Sequence, residues 1–226
     1  MKHLKNFKFI FLITLSSFLF TQANCQVKEE DKINAATQVL KDFGNMKESI
    51  PAEMLKVTEG IIIVPKLING GFVLAAKRGK GIAMTKLADG SWSDPVFVTI
   101  TGGSIGLQAG VQSVDLVLIF KNSETLQKIG KGSFTLGGDI SATAGPVGRN
   151  STASTDYKMQ AEVYSYSRSK GLFAGISLSD SALDVDSKAN ESFYGEETDA
   201  ATILSSSTTN EVPQSATSLK TTLQNL

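Results

Sequence analysis

The stretch "VFVTITGGSIGLQAGVQSVDLVLIF" (96–120) decides the fold. Its glycines at 102, 103, 106 and 110 invite a nucleotide-binding reading. A dinucleotide fingerprint needs G-x-G-x-x-G between a strand and a helix. The spacing here does not match. Ile105, Leu107, Ala109 and Val111 alternate with the period of two that belongs to a strand. The stretch is predicted as strands, 96–112 and 114–120. Its glycines then mark bulges, bends or close backbone approach. "GKG" at 79–81 and at 130–132 lacks the upstream glycine of a phosphate loop.

The same texture extends to both sides. "GIIIVP" (60–65) is a β-branched strand that Pro65 is expected to stop. "GFVLAAKRG" and "GIAMTKL" are predicted as strands punctuated by Gly70, Gly71, Gly79 and Gly81. Asp89-Gly90 signals a turn. "GSFTLGGDISATAGP", "YKMQAEVYSYS", "GLFAGISL" and "ALDVD" complete the strands. Helical spacing is confined to the flanks and connections. Ile33, Ala36, Leu40 and Phe43 share one face of a helix over 31–43, with Asp31 as its cap. Residues 50–58 form a short helix opened by Pro51. "SETLQKI", "SKANESFYG" and "TDAATIL" are further short helices. "SSSTTNEV" (205–212) reads as a linker. Beyond it, Ala216, Leu219, Leu223 and Leu226 form an apolar face suited to docking back on the domain. The fold class is α+β: a Gly-rich, mostly antiparallel β core with short helices at both ends.

The N-terminus reads as an export signal. Lys2, Lys5 and Lys8 precede an apolar run over 9–20, and small residues close it. The expected division is a signal peptide over 1–25 and one domain over 26–226. The product would be exported to the periplasm or envelope. Lipidation at Cys25 is the alternative to simple cleavage.

Composition then excludes whole classes of chemistry. The only histidine is His3 and the only cysteine is Cys25. An exported chain beginning at Gln26 has no Ser-His-Asp triad, no thiol nucleophile and no His/Cys zinc site. No enzyme activity and no cofactor are expected. Asp180, Asp184, Asp186 and Glu191 lack the ligand spacing and glycine of an EF-hand. Without the leader lysines, the 22 Lys+Arg fall to 19 against 22 Asp+Glu, a net charge of −3. That balance argues against nucleic acid as a partner.

The cations are placed more tellingly than they are numerous. Lys77, Arg78 and Lys80 sit beside Gly79 and Gly81; Arg149 follows Gly148; Arg168 and Lys170 precede Gly171. Charged groups at strand ends beside exposed backbone N–H groups suit phosphate, or form a plain solvated rim. With Trp92, Tyr166 or Phe173 alongside, such a rim would seat on lipid headgroups.

Five segments carry a family resemblance. "GSWSDP" (90–95), "GGSIGLQAGVQSVDLVLIF" (102–120), "AGPVGR" (144–149), "YSYSRSKGLFAGISL" (164–178) and "NESFYG" (190–195) resemble the SYLF domain family in order and spacing. The resemblance covers about residues 32–226. It implies a lipid-binding module, with phosphoinositide and other membrane-lipid binding in eukaryotic members and actin binding in a yeast branch. Bacterial members resemble this chain in carrying a leader followed by the domain alone. The chain departs from the pattern at Asp180, where the family often has glycine. The expectation is a non-catalytic envelope domain that binds anionic membrane lipids through Lys77, Arg78, Lys80, Trp92, Arg149, Arg168, Lys170 and Phe173. Actin is not an expected partner of an exported protein. The alternative is a structural or protein-interaction module of the envelope.

Overall fold

A computed structural model of the chain describes residues 27–46, 50–71, 74–105, 110–130, 132, 134–145, 161–170, 172–173, 176–195, 199–207 and 212–226. The leader, Cys25 and Arg149 lie outside the described residues, as does most of "AGPVGR". The first helix, α1, is already formed at residue 27 and runs through 44. Asp31 is therefore inside it and is not its cap. Next come α2 (Ala52–Lys56), β1 (Gly60–Gly71), β2 (Leu74–Thr85), β3 (Val96–Ile105) and β4 (Gly110–Phe120). Then follow α3 (Ser123–Gly130), β5 (Phe134–Leu136), β6 (Ala142–Ala144), β7 (Val163–Ser169) and β8 (Leu172–Phe173). The chain closes with β9 (Ser181–Val185), α4 (Ser187–Tyr194), α5 (Ala200–Ser205) and α6 (Gln214–Gln224). The class is α+β, and only the β6–β7 pairing is parallel among the described strands.

The strands form one sheet in the order β5-β9-β3-β2-β1-β4-β7-β6, with β8 added to β7. Its two margins are nearly neighbours in sequence. Ile140 bridges to Leu136 on one margin, and Ala142 already pairs with Val163 on the other. Seven gaps of about 4.8 Å would hold these margins ~34 Å apart in a flat sheet. Two residues of extended chain span at most ~7 Å. The sheet must therefore curl until its margins almost meet.

Two apolar clusters fill the two faces of this curl. Ile62, Val64, Leu67, Leu116, Leu118, Phe120 and Leu183 point to the concave interior. Leu126 and Ile129 of α3 and Ile203 and Leu204 of α5 join them. On the convex face, Ile61, Ile63, Ile82, Met84, Phe97, Val117 and Ile119 meet α1, α4 and α6. Ile33, Ala36, Leu40 and Phe43 are buried as their periodicity implies, as are Ala216, Leu219 and Leu223; Leu226, expected on that last face, lies past the end of α6 and is exposed. Each of the larger side chains among them contributes about 1.5–3 kcal/mol by leaving water, and each alanine about 0.8 kcal/mol or less.

Pro65 does not end β1, contrary to expectation. The strand continues to Gly71 between two partners, and its register slips on both sides around Pro65 and Lys66. Proline is tolerated in a central strand at such a bulge, because the bulged residues need no ladder partner. Lys66 takes a left-handed backbone (φ 51°) and donates its N–H to Asp115 Oδ1 at 3.0 Å. The bulge turns both Val64 and Leu67 inward, against β2. A Cβ at Gly79 would lie 2.6 Å from Val64 Cγ1, and one at Gly81 would lie 2.6 Å from the Ile63 carbonyl oxygen. The two glycines therefore do not break the strand, as the sequence suggested; β2 is continuous through them because nothing larger fits. The strand over 96–112 is also redrawn: β3 ends at Ile105 and β4 begins at Gly110, so Val111 belongs with 114–120.

Candidate functional site

The cations predicted for a single rim have separate fates. Lys77 lies on the concave face and is buried (3% exposed). Its ammonium donates to the Ser177 carbonyl and, at 3.2 Å, to Ser181 Oγ. Burial lowers its pKa, against the opposing charge of Asp180. It is a strut between β2 and the segment entering β9, with no surface to offer a headgroup. Lys80 donates to Asp186 Oδ2 at 2.7 Å. Burial raises the Asp186 pKa, but the Lys80 hydrogen bond and charge and the Ala189 N–H outweigh it and hold the carboxyl below its ordinary value. Asp186 also caps α4, so the pair ties that helix to β2.

Arg168 is committed as well. Its Nη2 contacts Asp115 Oδ2 at 2.8 Å, directly across the β4–β7 register, and also Asp42 of α1. Its guanidinium lies 5.7 Å from the Phe43 ring centroid. One side chain thus joins two strands to the helix layer.

The aromatics depart further from expectation. Trp92 is buried (6% exposed) in the convex-face core, and Tyr166 is buried in the same cluster. Neither stands at an interface. The reason is local: Lys86 and Trp92 bridge antiparallel, and Ser93 Oγ accepts from the Thr85 N–H at 3.0 Å, so the 86–93 turn folds inward. Phe173 is placed only by its backbone pairing with Arg168. The continuous apolar strand expected over 171–178 is not formed. β8 is two residues long, residues 176–178 are in no strand, and Leu172 is 73% exposed.

Arg78 and Lys170 are exposed and make no ion pair among the described residues. Both sit at the hairpin end of the sheet. Arg78 pairs with Ile68 in the β1–β2 register, and Ile68 pairs with Ser113 of β4. Ser169, next to Lys170, donates its Oγ–H to the Ser113 carbonyl at 3.2 Å and pairs with Leu172. Three large apolar side chains are exposed at this end: Ile68 (45%), Val111 (80%) and Leu172 (73%). Sequence reasoning missed all three as surface residues: Val111 and Leu172 lie in alternating runs that read as core, and Ile68 lies beyond Pro65, where no strand was expected.

The segments that carried the resemblance turn out to hold the fold together. Asn190 accepts from the Phe97 N–H at 2.9 Å and donates to the Phe97 carbonyl at 3.0 Å, acting as a strand mate for β3. Tyr194 donates to the Pro95 carbonyl at 2.6 Å, and burial raises its pKa. Lys220 of α6 reaches the fully buried Asp94 at 2.6 Å. Among the described residues, no three His, Cys, Asp or Glu groups gather as a metal site, and no helix is long and apolar enough to cross a membrane.

What fold and geometry define together is a curled α+β domain whose polar groups mostly brace strands against helices. The chain belongs to the Ysc84/SYLF domain family: the family model described as Ysc84, Las17-binding protein actin regulator, matches residues 101–226. It is 33% identical over 183 residues to LAS seventeen-binding protein 3 of Saccharomyces cerevisiae, an alignment covering 80% of this chain and 40% of that protein. It is 34% identical over 176 residues to SH3 domain-containing YSC84-like protein 1 of Homo sapiens, covering 75% and 51%. Against protein YSC84 of S. cerevisiae it is 35% identical over 188 residues, covering 79% and 40%. The chain thus spans about half or less of these relatives, two of which are named for binding or for domain content and none for a reaction.

Proposed function

We propose that this chain is a non-catalytic lipid-binding domain of a bacterial cell envelope, exported by its leader, that docks on anionic membrane surfaces. The observation that carries the reading is the hairpin end of the sheet. Exposed Ile68 and Val111 share a sheet face with Arg78 there, and exposed Leu172 and Lys170 stand at the neighbouring β7–β8 turn; neither cation has an ion pair among the described residues. Apolar side chains at the acyl boundary with cations at phosphate level are what an anionic surface accommodates. Lys77, Lys80, Arg168 and Trp92 support the scaffold behind this surface and are not part of it.

The test is co-sedimentation of the purified protein with phosphatidylglycerol vesicles, against phosphatidylcholine vesicles. Near an anionic surface each cation is worth about 1 kcal/mol. Arg78→Ser with Lys170→Ser should therefore weaken binding by about 30-fold at low salt. Unchanged binding in that variant rejects the surface; no binding of the parent protein to either vesicle rejects the function. Intact mass of the exported protein tests the processing. A start at Gln26 makes it soluble, and an acylated Cys25 makes it anchored.

The second reading is an envelope module that binds a protein. The family description and the yeast relative both name a protein partner. One stoichiometric partner in a pull-down, with no vesicle binding, selects it. The description also names actin regulation, a role that does not fit an exported chain.

A further inference from the structure

A second surface lies at the opposite end of β1, about 30 Å from the hairpin end by strand rise. Here α2, the 86–92 turn and the end of α6 enclose a cavity of about 280 Å³. Its walls are apolar: Leu55, Ile61, Trp92 and Leu223 line it. Lys56 and Lys86 line it too, and neither forms an ion pair among the described residues. Their backbones are fixed, Lys56 in the last turn of α2 and Lys86 by its bridge to Trp92 and its N–H bond to the Glu59 carbonyl at 2.8 Å. Leu226, also in the lining, is 39% exposed.

The chemistry of this lining selects a ligand. The cavity holds about nine groups of water size at ~30 Å³ each. Apolar walls give ordered water few hydrogen bonds, so an apolar occupant gains by replacing it. Two unpaired cations beside those walls ask for one compact anion. A free phosphate would leave the walls unused, and a neutral hydrocarbon would leave the lysines unused. We propose that this cavity takes the acyl chain of a single-chain anionic amphiphile, a fatty acid, with Lys56 and Lys86 meeting its carboxylate. This site is separate from the hairpin end and does not rest on the vesicle-docking reading.

Trp92 is the only tryptophan of the chain and lies in the cavity wall, so its emission reports occupancy. The experiment titrates the full exported protein with decanoate below its micelle concentration, and with decanol as the neutral control. Decanoate should change Trp92 emission saturably and bind more tightly than decanol. Lys56→Gln and Lys86→Gln should each weaken decanoate by about five-fold, the scale of a solvent-screened ion pair, and leave decanol unchanged. Ala52→Phe, at an exposed position of the lining, should weaken both by narrowing the mouth. Unchanged urea midpoints in these variants would show that the fold is intact. Vesicle co-sedimentation should be unaffected in all three, which separates this site from the other. A lack of saturable change with decanoate overturns the proposal. So does decanol binding as tightly as decanoate. An emission change that tracks protein concentration without amphiphile overturns it as well, and makes the cavity a self-association surface.

Discussion

The backbone of Gly145 lies directly against the ring of Tyr166. A Cβ built on Gly145 would overlap the ring at Cζ, Cε1 and the hydroxyl oxygen. Gly145 follows β6, and its N–H donates to the Ser165 carbonyl of β7 at 3.0 Å, so the approach is fixed by the ladder. Two of the segments that mark the family, "AGPVGR" and "YSYSRSKG", therefore meet as a packing pair. Gly145→Ala should destabilise the protein by about 2–3 kcal/mol, the scale of overpacking in a rigid core. Urea unfolding measures it. A loss below 0.5 kcal/mol, on the order of an ordinary surface change, would show that the ring moves aside.

Arg168 separates scaffold from surface. Arg168→Met leaves Asp42 and Asp115 facing each other without their shared cation. Because the trio is partly exposed, the expected loss is about 1–3 kcal/mol, short of the cost of breaking a fully buried pair. Vesicle binding by the folded fraction should stay within two-fold, on the order of 0.4 kcal/mol. Strong loss of binding without loss of stability would return Arg168 to the docking surface.

How far the fold was legible depends on what each residue needed from its neighbours. The helix faces of α1 and α6 could be read because periodicity reports burial directly. The bulge at Pro65 could not, since proline as a stop and proline at a bulge look alike until the strands on both sides are known. The glycines of β2 follow from that bulge and share its invisibility. For the candidate site, Arg78 and Lys170 stayed at the surface. Lys77, one residue from Arg78, faces the interior, because alternate residues of a strand point to opposite faces. Trp92 was misplaced because nothing in "GSWSDP" shows that its turn folds inward. Val111 and Leu172 read as core because alternation looks the same whether or not anything covers the strand, and Ile68 was missed because its strand was expected to stop at Pro65.

Acid should weaken the Lys80–Asp186 tie. The Asp186 carboxyl is held below its ordinary value in the folded state. Its contribution is therefore present above the unfolded carboxylate pKa of about 3.9 and is lost as pH falls through the lower folded value. Asp186→Asn keeps a competent helix cap and removes the charge. The parent protein should exceed this variant by at most about 1 kcal/mol near neutrality. That gap should close below about pH 4 in urea unfolding. A gap that persists there would mean that the charge is irrelevant.

Alkali should act through the tyrosines. Burial raises the pKa of Tyr166 and of Tyr194 in the folded state. Their stabilising contribution is intact below the unfolded value of about 10 and is lost as pH rises above it, because only the unfolded chain ionises freely. Tyrosinate absorbance and loss of circular dichroism should then rise together. Tyr194→Phe should lose about 1 kcal/mol at neutral pH, with its bond to the Pro95 carbonyl. It should also shift the alkaline transition upward. Ionisation of all four tyrosines without unfolding would contradict the burial.

The curled sheet behaves as a split ring with a clasp. Residues 137–139 are an exposed turn, and Ile140 and Ser141 alone carry the chain from one margin to the other. A nick or a long insertion in this turn would cut no strand and remove no core side chain. It would nevertheless release the two margins, β5 with β9 on one side and β6 with β7 on the other, and let the ring spring apart along its apolar lining. The direct covalent link between the two margins is a tether five residues long, from the end of β5 to the start of β6.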